Sequence, residues 1–196
     1  MVKIIKVKNN KEKGNTYKNM FARYKKAIKN EFYFEAIFID YAMLEDRLTS
    51  FLKYLGIVIP SIDRLRINDN YYNSINNLFN DYNNSKLEIN NISVKINLIK
   101  YLIKSYKLNS LEKYNLNNLR PVIESININT LETTLNELEG WIIKRNNLIH
   151  DLMEKEISSI NDNLSDVAES GNLYVRSIDT QVSKIKEYIR KTYKKK

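Results

Sequence analysis

Trp141-Ile142-Ile143-Lys144-Arg145-Asn146-Asn147-Leu148-Ile149-His150-Asp151-Leu152-Met153 holds the only Trp and the only His of a 196-residue chain. A seam of four- and three-residue steps runs through it as Leu131, Leu135, Leu138, Ile142, Arg145, Ile149 and Leu152. Every member is apolar except Arg145, the pattern of one buried helical stripe. A second line follows Ile143, Asn146, His150, Met153, Ile157 and Ile160, with Asn146 and His150 as its interruptions. The spacing predicts a helix over residues 131 to 157, capped by Asn129 or Thr130 and broken at Asn161-Asp162-Asn163.

A polar group inside an apolar stripe must find a partner or carry a penalty of about 1 to 3 kcal/mol. One solution is internal: Arg145 pairs with a carboxylate such as Glu45 or Asp46 from an earlier helix, and His150 is a hydrogen-bonded core histidine. The other is a ligand. Five residues of helix separate Arg145 from His150 by about 140° and about 7.5 Å, so the two do not share a ridge. Asn146, four residues before His150, lies beside it. Two copies of this helix meeting across a two-fold axis would gather the polar residues of both into one cleft.

Outward from this stretch the chain continues to read as helix. Met20, Phe21, Tyr24 and Ile28 space a first helix from Tyr17 to about Lys29. A second spans about Glu31 to Leu55 through Phe34, Ile37, Phe38, Tyr41, Leu44, Arg47 or Leu48, Phe51 and Leu52, and Gly56 ends it. Ile57-Val58-Ile59-Pro60 leaves that helix, since Pro blocks its continuation. Residues 61 to 91 are Asn-rich and weakly periodic, with a short helix available from Tyr71 to Tyr82. Ile92 to Tyr106 is clearly periodic, Leu111 to Arg120 reads as a connector closed by Pro121, and Leu164 to about Tyr193 reads as a last helix. Within that helix Gly171 is expected to be only a modest local weakness.

Composition agrees with an all-α chain. Only 4 Gly and 2 Pro are present, too few for turn-rich β architecture and too scattered for a phosphate-cradling loop or dinucleotide fingerprint. The absence of Cys excludes a disulfide framework, a thiol nucleophile and a thiolate metal site, and is read simply as a cytoplasmic setting. Lys alternates with apolar residues in Met1 to Lys8, unlike a signal peptide, and no apolar run is long enough for a membrane span. The formal charge of +9 suits a polyanionic partner such as RNA, although a solvated Lys-rich surface gives the same count. The expected organisation is a basic arm at 1–14, one bundle of about five helices at 15–193, and a basic tail at 194–196.

Arg145-Asn146-Asn147-Leu148-Ile149-His150 resembles the R-x4-6-H motif of HEPN domains, including the Asn that often follows the Arg. The long helix around Glu35 to Leu48 is similar to the early helix of that family, and the likeness covers roughly residues 16 to 193. The resemblance implies a metal-independent endoribonuclease of the toxin or antiphage-defence type, without cofactor, acting as a homodimer with a composite site. It implies catalytic roles for Arg145, His150 and Asn146, and RNA as substrate. Lys144 and Asn147 are candidate substrate contacts, and Glu45, Asp46 and Glu139 candidate supporting residues. A separate antitoxin or regulatory protein would be a further partner. Family members paired with a small nucleotidyltransferase antitoxin often carry Tyr two residues after the His, where this chain has Leu152. A catalytically silent helical module that binds RNA, nucleotide or a protein partner is the alternative.

Overall fold

The computed structural model describes residues 10–61, 65–154 and 164–193. Among these are seven α-helices rather than five: α1 (Asn10–Lys29), α2 (Tyr33–Tyr54), α3 (Tyr72–Asn83), α4 (Ile92–Lys107), α5 (Arg120–Glu124), α6 (Ile128–Glu154) and α7 (Leu164–Tyr193). The fold is all-α, with one small antiparallel hairpin of β1 (Val58–Pro60) and β2 (Leu65–Ile67) in the register Val58 to Ile67. No helix among the described residues is long and apolar enough to cross a membrane.

The two extra helices are short or come from weakly periodic sequence. α3 forms because Ile75, Leu78 and Phe79 are buried on one side, and its Asn-rich remainder is left to solvent. α5 starts where the connector was expected to end, with Pro121 in its first turn, where a missing N–H leaves no bond unmade. α1 begins at Asn10, earlier than the expected start at Tyr17, and carries Gly14 inside it. The rest of the expected basic arm, residues 1–9, lies outside the described residues, as do the tail 194–196, Ile157, Ile160 and the break at Asn161 to Asn163.

Helix ends follow their local chemistry. Gly56 closes α2 at a φ of 76°, and the Ile57 and Gly56 N–H groups donate back to the Leu52 and Lys53 carbonyls. The cap of α6 is Asn127, not Asn129 or Thr130: its Oδ1 accepts from the Thr130 N–H at 3.0 Å. The Asn127 N–H in turn donates to Gln181 Oε1 on α7 at 3.0 Å, which ties the start of α6 to its neighbour.

Paired residues fix the helix directions. Asp40 with Asn172 and Arg47 with Asp179 step forward together, so α2 and α7 run parallel. Trp141 with Val167 and Thr134 with Ser177 step in opposite senses, so α6 runs antiparallel to α7. Lys107 with Glu132 and Lys100 with Glu139 set α4 antiparallel to α6. One apolar core joins α2, α4, α6 and α7 and includes Leu44, Leu48, Ile99, Leu135, Leu138 and Ile178. Burial of each such side chain contributes about 1.5 to 3 kcal/mol.

Gly171 corrects a sequence expectation. It is a close-approach residue in α7, since a Cβ there would stand 2.8 Å from both Asp40 Oδ2 and Trp141 Cζ2. A side chain at this position would push α2 and α6 off α7.

Candidate functional site

The seam of α6 behaves as its spacing predicts as far as Ile142. Leu131, Leu135 and Leu138 are fully buried, and Trp141 is buried with its indole N–H donating to the Val167 carbonyl at 2.7 Å. Trp141 is therefore a core residue that pins α6 to the start of α7. The next seam position, Arg145, is only partly buried.

No carboxylate meets Arg145 among the described residues. Its guanidinium lies over two rings of α2, 4.3 Å from the centre of Tyr41 and 5.3 Å from that of Phe38. One Nη donates to Asn146 Oδ1 at 3.1 Å, and the buried Nε has no hydrogen-bond partner. Burial pulls the guanidinium pKa below its ordinary value, with Tyr41 opposing, but leaves it charged. The aromatic cradle holds the positive charge by its ring faces, while leaving Nη capacity for an incoming anion.

The internal partners offered for Arg145 are engaged elsewhere. Glu45 accepts from Lys95 of α4 at 3.0 Å. Asp46 is shared by Lys13 at 2.7 Å, Arg47 at 2.7 Å and the Tyr17 hydroxyl at 3.1 Å. Burial alone would raise its carboxyl, but Lys13 and Arg47 together hold it below the usual carboxylate range. Glu139 accepts from Lys100 at 2.8 Å. Each of these three acids has a structural partner, and none contacts Arg145.

The second line of α6 faces solvent from Ile143 to His150. Ile143 is 61% exposed, and Asn146 and His150 are exposed, so neither polar residue interrupts a buried stripe. His150 carries no hydrogen bond or ion pair among the described residues. Asn146 is thus placed with Arg145 by a bond, whereas His150 follows one helical turn later and off the ridge. Asn147 is exposed, and Lys144 lies on another side, over a groove of about 390 Å³ between α6 and α7 lined also by Glu137, Trp141 and Tyr174. The sequence reading missed Phe38 and Tyr41 as the bed of Arg145. The apolar spacing of α2 contained both, but nothing in it distinguished a ring that packs the core from one that faces a cation.

Phe38 is 49% exposed beside that guanidinium, and Leu148 and Ile149 of α6 are only partly buried. Arg145 therefore has an exposed ring of α2 beside it and is followed on α6 by apolar residues that keep part of their surface open. Among the described residues no group of three or more His, Asp or Glu side chains is gathered to hold a metal. Comparison with protein-family models, with curated proteins and with solved structures finds no match for this chain.

Proposed function

We propose that the chain is a HEPN-type endoribonuclease that cleaves RNA without a metal, with Arg145, Asn146 and His150 acting in a cleft shared by two copies. The observation that carries this reading is the state of Arg145: a partly buried guanidinium on an aromatic bed, meeting no carboxylate among the described residues, beside the exposed ring of Phe38. An arginine left open in this way suits an anion supplied from outside the chain. The all-α fold and basic charge are compatible with the same reading.

The chemistry follows from the groups. An imidazole near neutral pH takes the proton of a ribose 2′-hydroxyl, whose oxygen attacks the adjacent phosphorus. Arg145 neutralises the extra negative charge of the transition state, and Asn146 holds its fork. A second imidazole delivers a proton to the departing 5′-oxygen, leaving a 2′,3′-cyclic phosphate and a free 5′-hydroxyl. One chain supplies a single His, so the acid and the base come from two protomers. Pairing through the Phe38 side of α2 and the end of α6 would cover the exposed apolar surface and bring the two open edges together. A toxin or antiphage-defence role, a cytoplasmic site of action and a regulating antitoxin belong to the same proposal.

Incubating the purified chain with RNA in EDTA tests this directly. Products with 2′,3′-cyclic phosphate ends, and no cutting of a 2′-deoxy strand of the same sequence, are expected. Cleavage that needs an added divalent metal, or that also cuts the 2′-deoxy strand, would overturn it. The unpositioned, exposed His150 favours a second reading, a silent helical module that binds RNA, nucleotide or a protein partner. In that case salt weakens RNA binding steeply and His150→Ala leaves it unchanged.

A further inference from the structure

A second polar site lies away from Arg145, where α1, α2 and α7 enclose a cavity of about 450 Å³. Its wall carries four cations, Lys13, Arg47, Lys53 and Lys186, against one wall carboxylate, Asp179. Arg47 forms the floor. It is 6% exposed, its two Nη atoms are held at 2.7 Å by Asp46 and Asp179, and its Nε is buried without a partner. Lys13 is drawn in by Asp46 and by Ser50 Oγ at 3.2 Å. Lys53 and Lys186 differ from these: both are exposed, and among the described residues neither meets a carboxylate. The half-buried Tyr54 lines the same cavity, with Lys186 Nζ resting 5.0 Å from its ring centre.

We infer that this cavity binds a nucleoside phosphate, its phosphate held by Lys53 and Lys186 above the Arg47 floor and its base laid against Tyr54. Two exposed ammonium groups that meet no carboxylate among the described residues, lining a concave, positively charged site, select a multiply charged anion. The volume exceeds what inorganic phosphate fills and lies within the range of small-molecule sites. Tyr54 supplies a half-buried ring in the wall, and a base stacks there once Lys186 swings from the ring to the phosphate. Asp46 and Asp179 fix Arg47 in place, so the floor needs no rearrangement when the ligand enters. The inference does not depend on the ribonuclease reading, because no residue of this cavity belongs to the α6 site.

Calorimetric titration of the full chain with 5′-AMP at low salt is expected to show saturable binding that weakens as salt is raised. Adenosine should not bind, and inorganic phosphate should bind about tenfold more weakly or worse. The Lys53→Ala/Lys186→Ala double variant, altered only at exposed positions, should melt like the parent chain and lose about tenfold or more in AMP affinity. Tyr54→Ala should weaken AMP but not phosphate. Arg145→Ala and His150→Ala should bind AMP unchanged, which separates failure of this site from failure of the cleavage site. No saturable AMP binding, or equal affinity in the double variant, would overturn the inference, and equal affinity for AMP and inorganic phosphate would overturn the assignment to a nucleotide.

Discussion

Two arginines break apolar stripes on long helices of this chain, and each rests on a tyrosine ring: Arg47 at 3.9 Å from Tyr17, and Arg145 at 4.3 Å from Tyr41. Their surroundings are otherwise opposite. Arg47 sits between α2 and α7 with both Nη atoms on carboxylates, and about two turns earlier on α2 the buried Asp40 accepts from Asn172 Nδ2 at 3.2 Å. The α2–α7 side therefore answers its charged residues from within the chain. The end of α6 does not, and Arg145 is left with Asn146 and two ring faces. A charged residue in a helical stripe is thus a structural device or an open site according to its partners, which spacing alone does not reveal.

This contrast is open to attack first at Asp40, where the expected effect is largest. Asp40 is 0% exposed, one carboxyl oxygen lacks a hydrogen-bond partner, and burial pushes its pKa from the ordinary 3.8 up to about 7 against the pull of Asn172 and Arg176. The folded carboxyl keeps its proton to higher pH than the unfolded one. Between about pH 4 and 7 unfolding therefore releases a proton, and stability falls as pH rises, by up to about 4 kcal/mol from this group. Denaturant unfolding from pH 4 to 8 should show that decline in the wild type and a flatter profile in Asp40→Asn. Parallel profiles would mean that Asp40 ionises as freely as in the unfolded chain.

Arg47→Ala is expected to cost about 2 to 3 kcal/mol in the same assay, because Asp179 loses the Arg47 cation and Asp46 is left with Lys13 and the Tyr17 hydroxyl alone. Both acids keep some access to water, which holds the loss below that of a fully buried pair. Gly171→Ala should cost about 1 to 3 kcal/mol, since its methyl group meets Asp40 and Trp141 on the tightly packed side. The smallest effects belong to α6: Arg145→Ala and His150→Ala should each lie within about 1 kcal/mol of the parent, as one loses ring contacts and an exposed hydrogen bond to Asn146 and the other an exposed side chain. A loss at Arg145 as large as that at Arg47 would erase the distinction between the two sites.

Much of this arrangement was legible in the residues. The long helices α2, α4, α6 and α7 follow from three- and four-residue spacing, and Gly56 marks the end of α2 as its left-handed φ requires. What escaped was tertiary in origin. α3 depends on three buried apolar residues in a polar stretch, and the hairpin that follows Gly56 is too short for a periodic signal. Gly171 looked like a weak point within a helix, because the closeness of Asp40 and Trp141 is not written near it in the chain. At the end of α6 the sequence singled out Arg145, Asn146 and His150 as candidates but misjudged two surroundings: Glu45 and Asp46 are taken by nearer cations, and Asn146 and His150 face solvent. The aromatic bed from α2 could not be read from α6 at all.

The central claim is that the open residues of α6 act on RNA, and cleavage measured beside stability tests it most directly. Wild type, Arg145→Ala and His150→Ala should be incubated with the same RNA in EDTA, each shown by denaturant unfolding to be folded. The account predicts cleavage by the wild type and a loss of about 100-fold or more in either variant at nearly unchanged stability. Equal cleavage by all three folded proteins, or none by a dimeric wild type, would contradict it.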